Sequence, residues 1–307
     1  NANQPGLARQ MVVTYGVGGI FLSGKPTTLL KSDVLASMRA ASSLPVSVAI
    51  DEEGGRVQRI DQIDGSIPSA RVMAATMTTA QVRALAANRG HQLRALGITE
   101  DLAPDADVSN EPDDGAIGDR SFSNDPATVA AYAGAFAAGL RDAGVLPVFK
   151  HFPGHGHATG DSHQGSVSTP PLSQLRTDDL LPYQKLLGTG PAEVMIGHLD
   201  VPDLTNGQPA SLSPAAYQLL RGQYGFTGVT MTDDLGAMKA ITNSHDLPHA
   251  VLDALQAGAD IALWTSSADL NSVLDTLQNA VRSGQLGQSD VTTSVARILA
   301  AKGACKP

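Results

Sequence analysis

Short apolar, largely β-branched runs recur along the chain at residues 18–22, 45–50, 98–103, 145–149, 193–197, 228–231 and 259–264. Runs this brief and this uniformly apolar predict strands covered on both faces, as in a parallel sheet. Between them lie stretches with helical spacing, among them 33–41, 79–96, 126–142, 213–223 and 246–257, several opening on a Ser, Thr or Asp suited to cap a helix. Strict alternation of strand and helix predicts an α/β fold, and the strand count favours closure into a (β/α)8 TIM-type barrel. No repeat, low-complexity tract or linker interrupts the pattern, so one domain over residues 1–307 is expected.

The first barrel unit breaks the rhythm. An eighth strand would have to be 11–13, yet only Thr14, Tyr15, Gly16 and Val17 separate it from 18–22. That is too short for a helical crossover between parallel strands. The unit is either degenerate or shortened between Val13 and Thr14, and the second reading is preferred.

Composition narrows the choice of partner. With 42 % hydrophobic residues the chain can bury a substantial core. Its 21 basic and 30 acidic side chains leave a net charge of -9, which argues against nucleic acid or an anionic membrane as the main partner. Aromatic residues are only 4 %, too few for platforms on which bases stack, so a small uncharged partner is expected. Cys305 is the single cysteine, which excludes a disulfide within this chain and leaves the redox compartment open. No run approaches the roughly twenty apolar residues of a membrane span. The chain opens at Asn1 without a charged-then-apolar signal region, and a processed or trimmed form is expected.

The chemistry concentrates between Lys150 and His163. There His151, His155, His157 and His163, four of the chain's eight histidines, stand beside Lys150, Asp161 and several glycines, just after the 145–149 strand. In alternating α/β chains the C-terminal end of a strand is where ligands bind. Other strands end on polar residues in the same way: Asp51, Asp107, His198 and Asp233. Each has a bland explanation, since Asp51 could pair with Arg56 or Arg59, Asp107 could cap a turn and Asp234 could cap a helix. Five such ends together point to one pocket.

Two functional readings of the histidines compete with a merely solvated loop. His155, His157 and His163 could be arranged as zinc ligands. Against this, Gly154, Gly156 and Gly160 predict a flexible loop, whereas metal ligands need rigid support. In Asp161-Ser162-His163, a carboxylate two residues before an imidazole can instead orient the ring and raise its basicity for proton transfer.

The segments Asp51-Glu52-Glu53-Gly54-Gly55-Arg56-Val57-Gln58-Arg59, Gly118-Asp119-Arg120-Ser121-Phe122, Lys150-His151-Phe152-Pro153-Gly154-His155-Gly156 with Asp161-Ser162-His163, and Thr232-Asp233-Asp234-Leu235 resemble, in order, the motifs of glycoside hydrolase family 3 β-N-acetylglucosaminidases. The likeness runs from about Gly18 to the C-terminus and is closest to actinobacterial cell-wall members. It implies a single-domain, monomeric, cofactor- and metal-free barrel enzyme that releases terminal N-acetylglucosamine from muropeptides or related cell-wall glycosides with retention. Asp233 matches the nucleophile, and His163, oriented by Asp161, matches the acid/base. Asp51, Arg59, Arg120, Lys150 and His151 fall on positions that hold the sugar's hydroxyls. His157 departs from the aspartate that relatives usually carry there.

The chemistry is coherent by itself. Cleaving an acetal needs a proton for the leaving oxygen and a carboxylate under the developing oxocarbenium ion. Most glycosidases use two carboxylates, whereas a neutral histidine would repel an anion less and so leave phosphate open as an acceptor besides water. A metal-dependent barrel hydrolase and a sugar-binding module without turnover are the alternatives. The start of the chain and the likeness to wall-associated members favour an exported or lipid-anchored protein at the cell envelope, with a cytoplasmic one as the second choice.

Overall fold

The computed structural model describes residues 4–265 and 269–304. Cys305 therefore lies outside the described residues. The strands in chain order are β1 (Gly19–Leu22), β2 (Ser47–Ile50), β3 (Glu100–Asp101), β4 (Leu146–Phe152), β5 (Val167–Ser168), β6 (Glu193–Ile196), β7 (Leu199–Asp200) and β8 (Thr230–Thr232). Six of them form one sheet in the order β1-β2-β3-β4-β6-β8, every pair parallel, while β5 and β7 make a separate parallel pair. The fold is α/β with a curled parallel sheet of TIM-barrel type.

The predicted segment 259–264 continues this sheet beyond β8 but pairs sparsely. Ile261 bridges Met231 in parallel, and the Ile261 amide donates to the Thr230 carbonyl. Two residues on, the Leu263 amide donates to the Thr232 hydroxyl instead of a backbone carbonyl, which ends the regular ladder. The reading of 11–13 as a strand is corrected: these residues finish the helix Pro5–Val13. A proline in the first turn presets helical φ, and Ala8 and Val12, four apart, are both buried on one face of it. The expected helix 213–223 is a helix over Pro214–Gln218 that runs on into a π-helical turn, Leu219–Gln223.

Strand alternation sorts the core into two layers. Val48 and Ile50 face outward into the large cluster shared with the helices, while Ala49, between them, faces inward with Leu102, Val148, Met195 and Met231. Each fully buried Val, Leu, Ile or Met contributes about 1.5–3 kcal/mol relative to exposure, so both layers specify the strand register. Because the strands are parallel, their C-terminal ends share one end of the sheet. Asp51, Lys150, His151, His198 and Asp233 are thereby delivered to one place.

Candidate active site

The strand ends open into a cleft of about 760 Å³ lined by Asp51, Arg59, Arg120, Lys150, His151, Asp161, His163 and Asp233, so that every residue matched to the family's site borders one space, whereas Asp107 and His198, also expected there, do not line it. Its base is a network of buried and partly buried charges. Lys150 Nζ donates to Asp51 Oδ1 at 3.0 Å and lies 2.6 Å from Glu53 Oε1. Arg59 holds the other Asp51 oxygen at 3.1 Å, which realises one of the pairings open to Asp51 and places it in the cleft as well. Arg120 clasps both Glu53 oxygens at 2.8 Å. Burial alone would raise the Glu53 carboxyl, but Arg120 and Lys150 hold it far below the ordinary carboxylate range. Glu53 was not among the site residues inferred from sequence; it fixes two of them.

His151 is placed by another residue the motifs do not single out. Asp107 Oδ2 lies 2.7 Å from His151 Nδ1, and Asp107 Oδ1 accepts from the amides of His151 and His155. With Nδ1–H directed at Asp107, the ring turns Nε2 toward Arg120 Nη2 at 3.4 Å and Asp233 Oδ2 at 4.0 Å. Burial and the neighbouring Asp107 push the Asp105 carboxyl well above its usual range, so Asp107 carries the local negative charge. Burial would raise Asp107 itself, yet His151 and His155 bring it below the ordinary value.

Asp233 follows β8. Burial would raise its pKa, but His151, His198 and the Asp234 amide hold it below the ordinary carboxylate range. It is an anion at neutral pH. The Asp234 amide donates to Asp233 Oδ1 at 2.8 Å, and Asp234 in turn accepts from the Gly236 amide and the Thr265 hydroxyl. From the next strand end, His198 donates Nε2–H to the Asp234 carbonyl at 3.1 Å and accepts from the Ser211 hydroxyl at Nδ1. Burial depresses the His198 pKa, in keeping with that neutral tautomer. His198 supports the turn that carries Asp233.

The loop that carries Asp161 and His163 is closed at its neck by Thr159 and Ser168, whose backbones pair antiparallel. His163 Nδ1 lies 2.8 Å from Asp161 Oδ1, and the His163 amide donates to the same oxygen. The His163 side chain is 63 % exposed. Between the two, Ser162 is buried, and its carbonyl accepts from the Ala240 amide just beyond Asp233. The loop is thus pinned at its middle, which the flexibility expected from its glycines did not suggest.

Its glycines divide into two kinds. A Cβ at Gly156 would meet the Val108 carbonyl oxygen at 1.9 Å, and one at Gly154, where φ is +132°, would meet Asp179 Cβ at 2.5 Å. These two serve close packing instead of flexibility. Gly160 and Gly165 have open space around them. The histidines disperse to different carboxylates: His155 receives the Asp107 oxygen at its amide, His157 meets Asp179 at 3.0 Å and His163 meets Asp161. Among the described residues, the groups able to converge on an ion are Asp105, Asp107 and His151, and His157, Asp178 and Asp179, so the triad of His155, His157 and His163 that a zinc reading requires is not assembled.

A parallel-sheet cleft with a buried carboxylate on its floor and an imidazole–carboxylate pair at its rim has the layout of a glycoside hydrolase site. Residues 3–301 match the family model described as the Glycosyl hydrolase family 3 N terminal domain. The chain belongs to glycosyl hydrolase family 3, and within it to the β-hexosaminidases. It is 52% identical over 303 residues to Beta-hexosaminidase LpqI of Mycobacterium tuberculosis, covering 96% of this chain and 78% of that one. A crystal structure of a family member from Mycobacterium smegmatis superposes with a TM-score of 0.94 at 52% identity, over 96% of this chain and 92% of that one. The family 3 β-N-acetylglucosaminidase of Paenibacillus sp. gives 0.90 at 32% identity, over 97% of this chain and 58% of its own.

Proposed function

We propose that this β-hexosaminidase is a retaining exo-β-N-acetylglucosaminidase that removes terminal N-acetylglucosamine from muropeptides or related cell-wall glycosides. Asp233 supplies the nucleophile. The observation that carries this reading is the placement of a buried, ionised carboxylate, faced by His151 and supported through Asp234 by His198, on the floor of the cleft whose rim bears the Asp161–His163 pair. An Asp233 oxygen attacks C1, the C1–O bond to the aglycone breaks, and His163 donates the proton that the departing oxygen takes up. Water then attacks C1, His163 accepts its proton, and the ester bond to Asp233 is released.

Asp51, Arg59, Arg120, Lys150 and His151 hold the hydroxyls of the terminal sugar at the base of the cleft. Their ion pairs with one another and with Glu53 and Asp107 fix them before substrate arrives, so little reorganisation accompanies the reaction. A wall-glycan substrate goes with a location at the cell envelope, which cell fractionation would test; no helix among the described residues is long and apolar enough to cross a membrane. Trapping with a fluorinated 2-acetamido glycoside followed by peptide mass spectrometry tests the chemical assignment. Label on Asp233 is the expected result, and label on another carboxylate removes Asp233 from the role.

A further inference from the structure

The mouth of the cleft is more acidic than its base. Among the described residues, every Lys and Arg side chain that lines the cleft is already engaged: Arg56 with Asp119, Arg59 with Asp51, Arg120 with Glu53, and Lys150 with Asp51 and Glu53. None is free to meet an anion. Near the rim stands Asp114, an exposed carboxylate that lines the cleft together with the Asp161–His163 loop. The two arginines that reach this lip are engaged by other groups on it. Arg56 donates to the carbonyls of Gly115 and Ile117 and pairs with Asp119, while Arg71 pairs with Asp113. Among the described residues no ion pair engages Asp114. Glu111, whose Oε2 accepts from the amides of Ile117 and Gly118, adds a second negative charge to the same lip.

The terminal sugar occupies the buried base and the aglycone leaves through the mouth, so these carboxylates flank the aglycone. We propose that Asp114, with Glu111, makes the aglycone side of this site select glycosides that are uncharged next to the cleaved bond and discriminate against those bearing a carboxylate or phosphate there. This rests on the glycosidase reading above and narrows its substrate class: a muramic acid whose lactyl group is in amide linkage, as in a peptide-bearing muropeptide, is preferred over one with a free lactyl carboxylate. The same field opposes inorganic phosphate as an acceptor, leaving water to complete the reaction. A cleft lined by one sign of charge acts on charged ligands in this way, and salt weakens the effect at an exposed lip.

The test compares two disaccharides that differ only in charge, N-acetylglucosaminyl-β-1,4-muramic acid and its lactyl amide. In dilute buffer wild-type kcat/KM should favour the amide by about tenfold, and high salt should shrink that ratio to about twofold. Asp114→Asn should lower the ratio, and Asp114→Lys should abolish or reverse it, with turnover of the amide within about twofold of wild type in both. In phosphate buffer the released product should be free sugar and not a glycosyl phosphate. A wild-type ratio near one, or a ratio unchanged in Asp114→Lys while the amide is still cleaved, overturns the proposal and leaves the glycosidase reading standing. Failure to cleave either disaccharide, or the neutral aryl glycoside, would overturn both.

Discussion

The base of the cleft and its mouth are built on opposite principles. At the base, Lys150 and His151 are 2 % and 5 % exposed, and each is met by a carboxylate from a different strand end. At the mouth, His163 is largely in solvent and its side chain is held by Asp161, two residues away on the same loop. Groups that must recognise a neutral, hydroxyl-rich sugar gain from being fixed in advance, because their desolvation and orientation are completed on folding. A proton donor to the leaving group has to admit an aglycone first, and a loop pinned at Ser162 but open at Gly160 and Gly165 allows that. On the proposed mechanism the contrast would give binding to the sheet and proton transfer to the loop.

Substitutions at the two levels should therefore fail differently. Asp233→Ala should lower kcat by at least about a thousandfold on every substrate while the thermal transition stays close to wild type, as checked by steady-state kinetics and calorimetry. Retention of more than about a tenth of the activity would remove Asp233 from the mechanism. Glu53→Gln should cost on the order of 3–5 kcal/mol of stability, because it leaves Arg120 and Lys150 buried without their shared carboxylate. Denaturant melts would read this, and an unchanged midpoint would mean that the base network is not what holds the site. The Glu53 carboxyl sits below its unfolded value, so its stabilisation is complete above the ordinary carboxylate range and is lost as pH falls toward its depressed native value.

Smaller effects belong to the mouth. Asp161→Ala should reduce turnover of poor leaving groups by about ten- to a hundredfold, because the imidazole stays but loses the partner that fixes its tautomer. Equal losses on all leaving groups would mean that Asp161 serves binding or folding. The pH profile gives the finest distinction. Asp233 is held below the ordinary carboxylate range, so in His163→Ala the kcat/KM of an activated aryl glycoside should stay flat on the acid side down to about pH 4. An acid limb near pH 6 in that variant would place the nucleophile in a different environment.

How much of this could be read from the chain depended on sequence distance. The strand periodicity placed Asp51, Lys150, His151 and Asp233 at one end of a parallel sheet, and the short-range Asp161-Ser162-His163 pattern carried over directly into a hydrogen-bonded pair. The pairings that fix the base were not visible. Glu53 and Arg120 are 67 positions apart, and His151 and Asp107 are 44 apart, so only the fold joins them. His157 and Asp179 meet for the same reason, and burial with its acidic neighbours raises that carboxyl to about 6. The misreadings were local ones. Residues 11–13 have an apolar run too short to distinguish strand from helix, and glycines at 154 and 156 look alike in sequence whether they loosen a loop or let it pack against Val108 and Asp179.

The division between sheet and loop is tested most directly by a series of aryl N-acetyl-β-glucosaminides spanning leaving groups from dinitrophenol to simple alcohols, run in parallel on Asp233→Ala and His163→Ala. The account predicts that His163→Ala comes close to wild-type bond cleavage on the most activated members and falls behind by about 10²–10⁴ on the least activated, while Asp233→Ala is uniformly inactive. A His163→Ala defect of the same size across the series would contradict it, and the proton donor would then have to be sought among the carboxylates of the base.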